Sequence, residues 1–94
     1  MYFLINSEQQ EILGFTSAYE ATAELVRELG RQRANHLRAC DQDEWMEVSS
    51  EWLANERHAD RLHERAQDQA HRLSQPVFFG LPNGETVVLA EFTE

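Results

Sequence analysis

Residues 77–92 read Val77-Phe78-Phe79-Gly80-Leu81-Pro82-Asn83-Gly84-Glu85-Thr86-Val87-Val88-Leu89-Ala90-Glu91-Phe92, two apolar runs rich in branched and aromatic side chains around a turn signal. Asn83-Gly84 tolerates the positive φ angles of a type I′ turn, so the stretch predicts a β-hairpin. A two-residue loop would set Leu81 against Thr86, Phe79 against Val88 and Val77 against Ala90, making one face almost wholly apolar. The other face would still carry Phe78, Val87 and Leu89, interrupted by Gly80 and Glu91.

Working outward from this hairpin, Tyr2 to Asn6 and Glu11 to Phe15 are short apolar runs separated by Ser7-Glu8-Gln9-Gln10, which predicts a second hairpin with a loop of about four residues. Ser17-Ala18-Tyr19-Glu20 matches a capping box, so a helix should begin there. Ala18, Ala21, Thr22, Leu25, Val26 and Leu29 recur at three- and four-residue steps and give that helix one apolar face. Gly30 either caps the helix in a left-handed conformation or lies inside a longer one. The good helix formers of Arg31 to Ala39, without proline, favour continuation with room for a kink.

Asp41-Gln42-Asp43-Glu44 offers another capping signature, and neither glycine nor proline occurs from there to Ser74, which predicts one long helix. Its apolar seam is a heptad, with Trp45, Trp52, Ala59, Ala66 and Leu73 seven apart, and Val48 and Leu62 between them. About 33 residues at 1.5 Å each reach on the order of 50 Å, so part of the helix must project beyond a small sheet or find a partner. The short junction at Cys40 makes the two helices antiparallel. Counting outward from it sets Gly30 near Trp52, where a missing side chain would make room for an indole.

The order strand, strand, helix, helix, strand, strand predicts a single α+β domain over residues 1–94, with an antiparallel sheet of two hairpins packed on an antiparallel helical hairpin. Helices on one side would leave the other side of so apolar a sheet partly uncovered. Such patches mark contact surfaces, so self-association as a homodimer or docking to another protein is expected.

Composition removes whole classes of chemistry. Of 94 residues, 17 are acidic and 8 basic, giving a net charge of −9, and every basic residue is arginine. Without lysine there is no Walker-type phosphate lysine and no Schiff-base nucleophile. Cys40 alone excludes intramolecular disulfides and multi-cysteine zinc sites, and fits a reducing cytoplasmic setting. The apolar run at the amino terminus is too short for a signal segment, and no stretch approaches the ~20 residues of a membrane helix.

His63-Glu64 begins like a zinc-protease helix, but Gln67 stands where the second histidine belongs. Asp60, Glu64, Asp68 and His71 line one face at steps of four, four and three, yet one helix supplies too few ligands to close a site, and the row reads as a surface stripe. His36 and His58 have no evident partners, and Ser49-Ser50 lack a nearby base. No metal, cofactor or catalytic role is expected.

Charge, by contrast, is segregated. Arg27 to Arg38 holds four arginines against Glu28, whereas Asp41 to Glu56 holds six acids and no base. The strip of Arg27, Arg31 and Arg38 is expected to pair with neighbouring carboxylates rather than with phosphate, because the net charge repels nucleic acid. Arg57 with Asp60, Arg61 with Glu64, and Asp68 with Arg65 and Arg72 are spaced for ion pairs along the helix.

On a helix, Asp43, Glu47 and Glu51 form an anionic ridge at four-residue steps, with Glu44 beside it. One reading is a solvated helix start that complements the macrodipole. The other makes Asp43, Glu44, Glu47 and Glu51 a partner-binding element that competes for the basic surface of a nucleic-acid-binding complex.

A single acidic domain below 100 residues, without catalytic motifs and with its acids gathered in Asp41 to Glu56, resembles phage-borne anti-CRISPR proteins. The resemblance covers size, charge and absence of chemistry over the whole chain and carries no motif across. It implies steric or electrostatic inhibition of a nucleic-acid-binding defence complex, with Trp45, Trp52 or sheet aromatics as anchors. The competing reading is a homo-oligomeric structural or regulatory accessory protein of antitoxin-like type.

Overall fold

The computed structural model of the chain describes residues 1–68, 73 and 75–92. Strands β1 (Tyr2–Asn6) and β2 (Glu11–Phe15) are followed by helices α1 (Ala18–Ala39) and α2 (Gln42–Ala66), then by strands β3 (Val77–Gly80) and β4 (Thr86–Glu91). The architecture is α+β, as the pattern predicts. One antiparallel sheet runs β2-β1-β4-β3, so the two hairpins join along the central β1–β4 pair.

The first hairpin closes on Asn6 opposite Glu11 around the four-residue loop Ser7–Gln10. The second departs from expectation. Phe79 pairs with Val87 and Gly80 with Thr86, one residue out of the anticipated register. Leu81 N–H donates to the Glu85 carbonyl at 2.9 Å and Gly84 N–H to the Leu81 carbonyl at 3.0 Å, with Gly84 at φ +89°. The loop is therefore three residues, Pro82-Asn83-Gly84, closed by a glycine in the left-handed region. Pro82 is the cause: it has no N–H to give a ladder and its fixed φ suits the second position of a turn.

A one-residue slip exchanges the faces of β4. Val87 and Leu89 now share the helix side with Leu4, Leu13, Val77 and Phe79, while Val88 and Ala90 join Phe3, Ile5, Ile12 and Phe78 on the outer side. The core is Leu4, Leu25, Leu29, Trp52, Leu62, Phe79, Leu81, Val87 and Leu89, with Ala21 and Ala59 where the helices come close.

α1 starts as its cap foretells, with Glu20 N–H donating to Ser17 Oγ at 3.2 Å, and runs unbroken through Gly30. The packing reason for that glycine does not hold. A Cβ there would meet nothing within 4 Å. The interhelix contacts Thr22–His63 and Arg33–Glu56 place Gly30 at a level between Glu56 and His63, and Trp52 lies instead at His36. Cys40 and Asp41 are both extended, so the link is a step that offsets α2 along α1 rather than a symmetric turn.

α2 ends at Ala66, short of the expected Ser74. Gln67 and Asp68 donate to the Glu64 and Arg65 carbonyls, three residues back, which tightens and closes the last turn. The chain must then return to β3. Leu73 packs against the core with its N–H on Glu91 Oε1 at 3.3 Å, whereas 69–72 and 74 lie outside the described residues. The ion pairs anticipated between Arg57 and Asp60 and between Arg61 and Glu64 do not close. Exposed long side chains lose more entropy than such a pair returns.

Buried helical residues lie on Ala21 to Gln32 of α1 and on Trp52 to Ala66 of α2. From Arg33 to Glu51 no residue is buried. The helical hairpin therefore has a base seated on the sheet and an arm that projects from it, along a molecule 47 Å in its longest dimension.

Candidate protein interface

Asp43, Glu44, Glu47 and Glu51 all lie on the arm, exposed, in the first three turns of α2. At 100° per residue they occupy a sector of about 100° on the helix surface. None forms an ion pair within the described residues, where the three that form are Glu24–Arg27, Glu28–Arg31 and Glu56–Arg33. Asp43 and Glu44 gain from the positive end of the helix. Like charges at four-residue steps, Asp43–Glu47 and Glu47–Glu51, each cost a few tenths of a kcal/mol. Among the described residues no counter-charge offsets this repulsion.

Beside the ridge, across Ser50, lie Trp45, Met46 and Leu53, which are 46%, 78% and 42% exposed and with Ser49 and Ser50 line a shallow depression. Trp45 is thus the seam residue that the core does not use, while Trp52 is fully buried. The difference is position along the hairpin. Trp52 lies where the sheet and α1 converge, and Trp45 is seven residues further out.

Half-buried Val48 packs against the core, and two polar contacts also hold the arm to the base. Trp52 Nε1 donates to His36 Nδ1 at 2.9 Å, and Arg33 reaches Glu56 at 3.3 Å. An indole nitrogen only donates, so the proton of a neutral His36 sits on Nε2. His36 and His58, without partners in the linear reading, both have them: His58 stacks at 5.0 Å on Phe79. Neither could be found from spacing, because each partner lies on another element.

The Arg27 and Arg31 guanidiniums are engaged by Glu24 and Glu28 of their own helix, as expected, whereas Arg38 makes no such pair. Glu28 also belongs to a polar clamp. Gln32, only 3% exposed, donates to Glu28 at 2.8 Å and accepts from Asn83 at 2.9 Å, and Asn83 and Gln9 both reach Glu85. The clamp ties both hairpin loops to α1. Burial opposes the Glu28 charge, but hydrogen bonds from Arg31 and Gln32 and the Arg31 charge outweigh it and hold the carboxyl below its ordinary value.

A hydroxyl beside an imidazole does occur: Thr22 Oγ1 lies 2.8 Å from His63 Nδ1, with Tyr19 stacked on the same ring. Thr22 is 2% exposed and its oxygen also lies 2.8 Å from the Ala18 carbonyl, so this is a helix-to-helix tie with no access for a substrate. The hollow lined by Tyr2, Thr16, Ser17, Tyr19, Ala66, Gln67 and Asp68 has, among the described residues, no histidine or cysteine on its wall. Among the described residues no three metal-binding side chains converge, and no helix is long and apolar enough to cross a membrane. His71, the fourth member of the Asp60–Glu64–Asp68 row, lies outside the described residues. No family model, curated protein or solved structure matches the chain, so its geometry alone carries the functional reading.

Proposed function

We propose that the chain is a small acidic protein-binding module that presents its arm to the basic surface of a nucleic-acid-binding complex and competes there with nucleic acid, in the manner of an anti-CRISPR inhibitor. The observation that carries this reading is the arm itself. Four carboxylates without an ion-pair partner among the described residues and three exposed apolar side chains sit on a helical segment that buries no side chain fully and meets the core only through half-buried Val48. The carboxylates steer and set register, and Trp45, Met46 and Leu53 supply the desolvated anchor that raw charge lacks.

The test is a mobility-shift competition. Purified RNA-guided DNA-binding complexes are loaded with labelled target DNA in the presence of the wild-type chain or of the variant Glu44→Arg/Glu47→Arg/Glu51→Arg. Displacement by the wild type, weakening steeply with salt and lost in the folded variant, supports the reading. Equal displacement by both removes the ridge from the interface.

A further inference from the structure

The helices pack on one face of the sheet, and among the described residues no helix covers the other. On that outer face Phe78, Ile12, Phe92 and Met1 are 67%, 66%, 58% and 56% exposed, with the Phe92 ring edge-on to Phe3 at 5.5 Å. No residue that the register assigns to this face of the strands carries a charge. We infer that a second copy of this chain docks here, sheet against sheet.

Charge selects the occupant. Each copy carries −9, so two copies repel over most approaches, and this face lets them meet without bringing carboxylates together. A basic partner of the kind that answers the arm gains nothing from it. Area agrees. At about 200 Å² for a fully exposed large side chain, the four expose on the order of 500 Å². Phe3, Ile5 and Val88 add to this, towards the ~800 Å² per partner of a standard interface. Two such faces meet as an isologous pair at the ~10 Å spacing of packed sheets. The arms lie on the opposite side of each sheet, so the pair offers two of them. This surface stands independently of the arm's partner.

Sedimentation equilibrium on the full chain, over a dilution series reaching low micromolar, tests the pairing. The expected mass is twice 10.9 kDa, and added salt, which screens the repulsion between the copies, does not lower it. Ile12→Glu and Phe78→Glu, both at exposed positions, should each weaken the dimer by at least about tenfold, a change of about 1.4 kcal/mol, while Glu47→Arg on the arm leaves it intact. A wild-type mass of 10.9 kDa throughout overturns the inference, whether or not the variants fold. So does a dimer that both folded outer-face variants leave untouched, or a monomer that floats with neutral phosphatidylcholine vesicles.

Discussion

Leu25 and Leu29 on the base of α1, and Leu37 and Trp45 on the arm, come from stretches of similar helix propensity, yet the first pair is fully buried and the second is not. Both halves of the hairpin are regular helix. What differs is the origin of their stability. The base is held by apolar area removed from water against β1, β4 and Phe79, and the arm by backbone bonds, helix contacts between α1 and α2, and the His36–Trp52 tie. A helical segment that meets the core only through half-buried Val48 is free to carry charge and exposed aromatics that a base helix could not tolerate.

The sharpest way to break this contrast is the tryptophan pair. Trp52→Ala should cost about 3–5 kcal/mol in urea denaturation, as expected for a large buried ring. Trp45→Ala, at the equivalent heptad position, should cost less than about 1 kcal/mol. Similar losses at the two sites would mean that the arm is part of the core. Next in size is the tie between the regions. His36→Leu leaves the buried indole N–H without its acceptor and should lower stability by about 1–3 kcal/mol, read in the same titration.

Gly30→Ala should stabilise by roughly 0.5–1 kcal/mol, because the helix is continuous there and the new methyl meets nothing; a lower melting temperature would show a constraint at Gly30 that the geometry does not contain. The smallest effect is the polar clamp on the base. A carboxyl whose folded value lies below its unfolded one contributes stability above the unfolded value, near 4.5 for Glu28, and loses it as pH falls through the folded value. Acid titration of stability should therefore be steeper for the wild type than for Glu28→Gln below about pH 4.5. Parallel curves would remove Glu28 from the clamp.

Element order, both hairpins, the continuity of α1 and the position of the ridge were legible in the sequence, because each rests on a local rule: alternation, a cap, a run without glycine or proline. The misreadings came where a non-local or competing constraint decides. Pro82 outweighed the Asn83-Gly84 turn signal and slipped β4 by one residue, which moved Val87 and Leu89 into the core. The heptad could not tell Trp45 from Trp52, since only the offset between the helices determines which of them meets the sheet. The stop at Ala66 is set by the need to return to β3, and no residue before Pro76 announces it. The acids of the ridge and the lack of a base within their own stretch could be named in advance, but not that α1 brings them no arginine, nor the Met46 and Leu53 side chains that flank them.

Native-state hydrogen exchange on the free chain tests the division into base and arm most directly. Amides from Leu25 to Leu29 should exchange only through global unfolding, at the full stability measured by denaturant. Those from Leu37 to Glu47 should open locally, at a clearly smaller free energy and with little dependence on denaturant. Equal protection along both stretches, falling together as denaturant is added, would show a single cooperative core and contradict a projecting arm held apart from it.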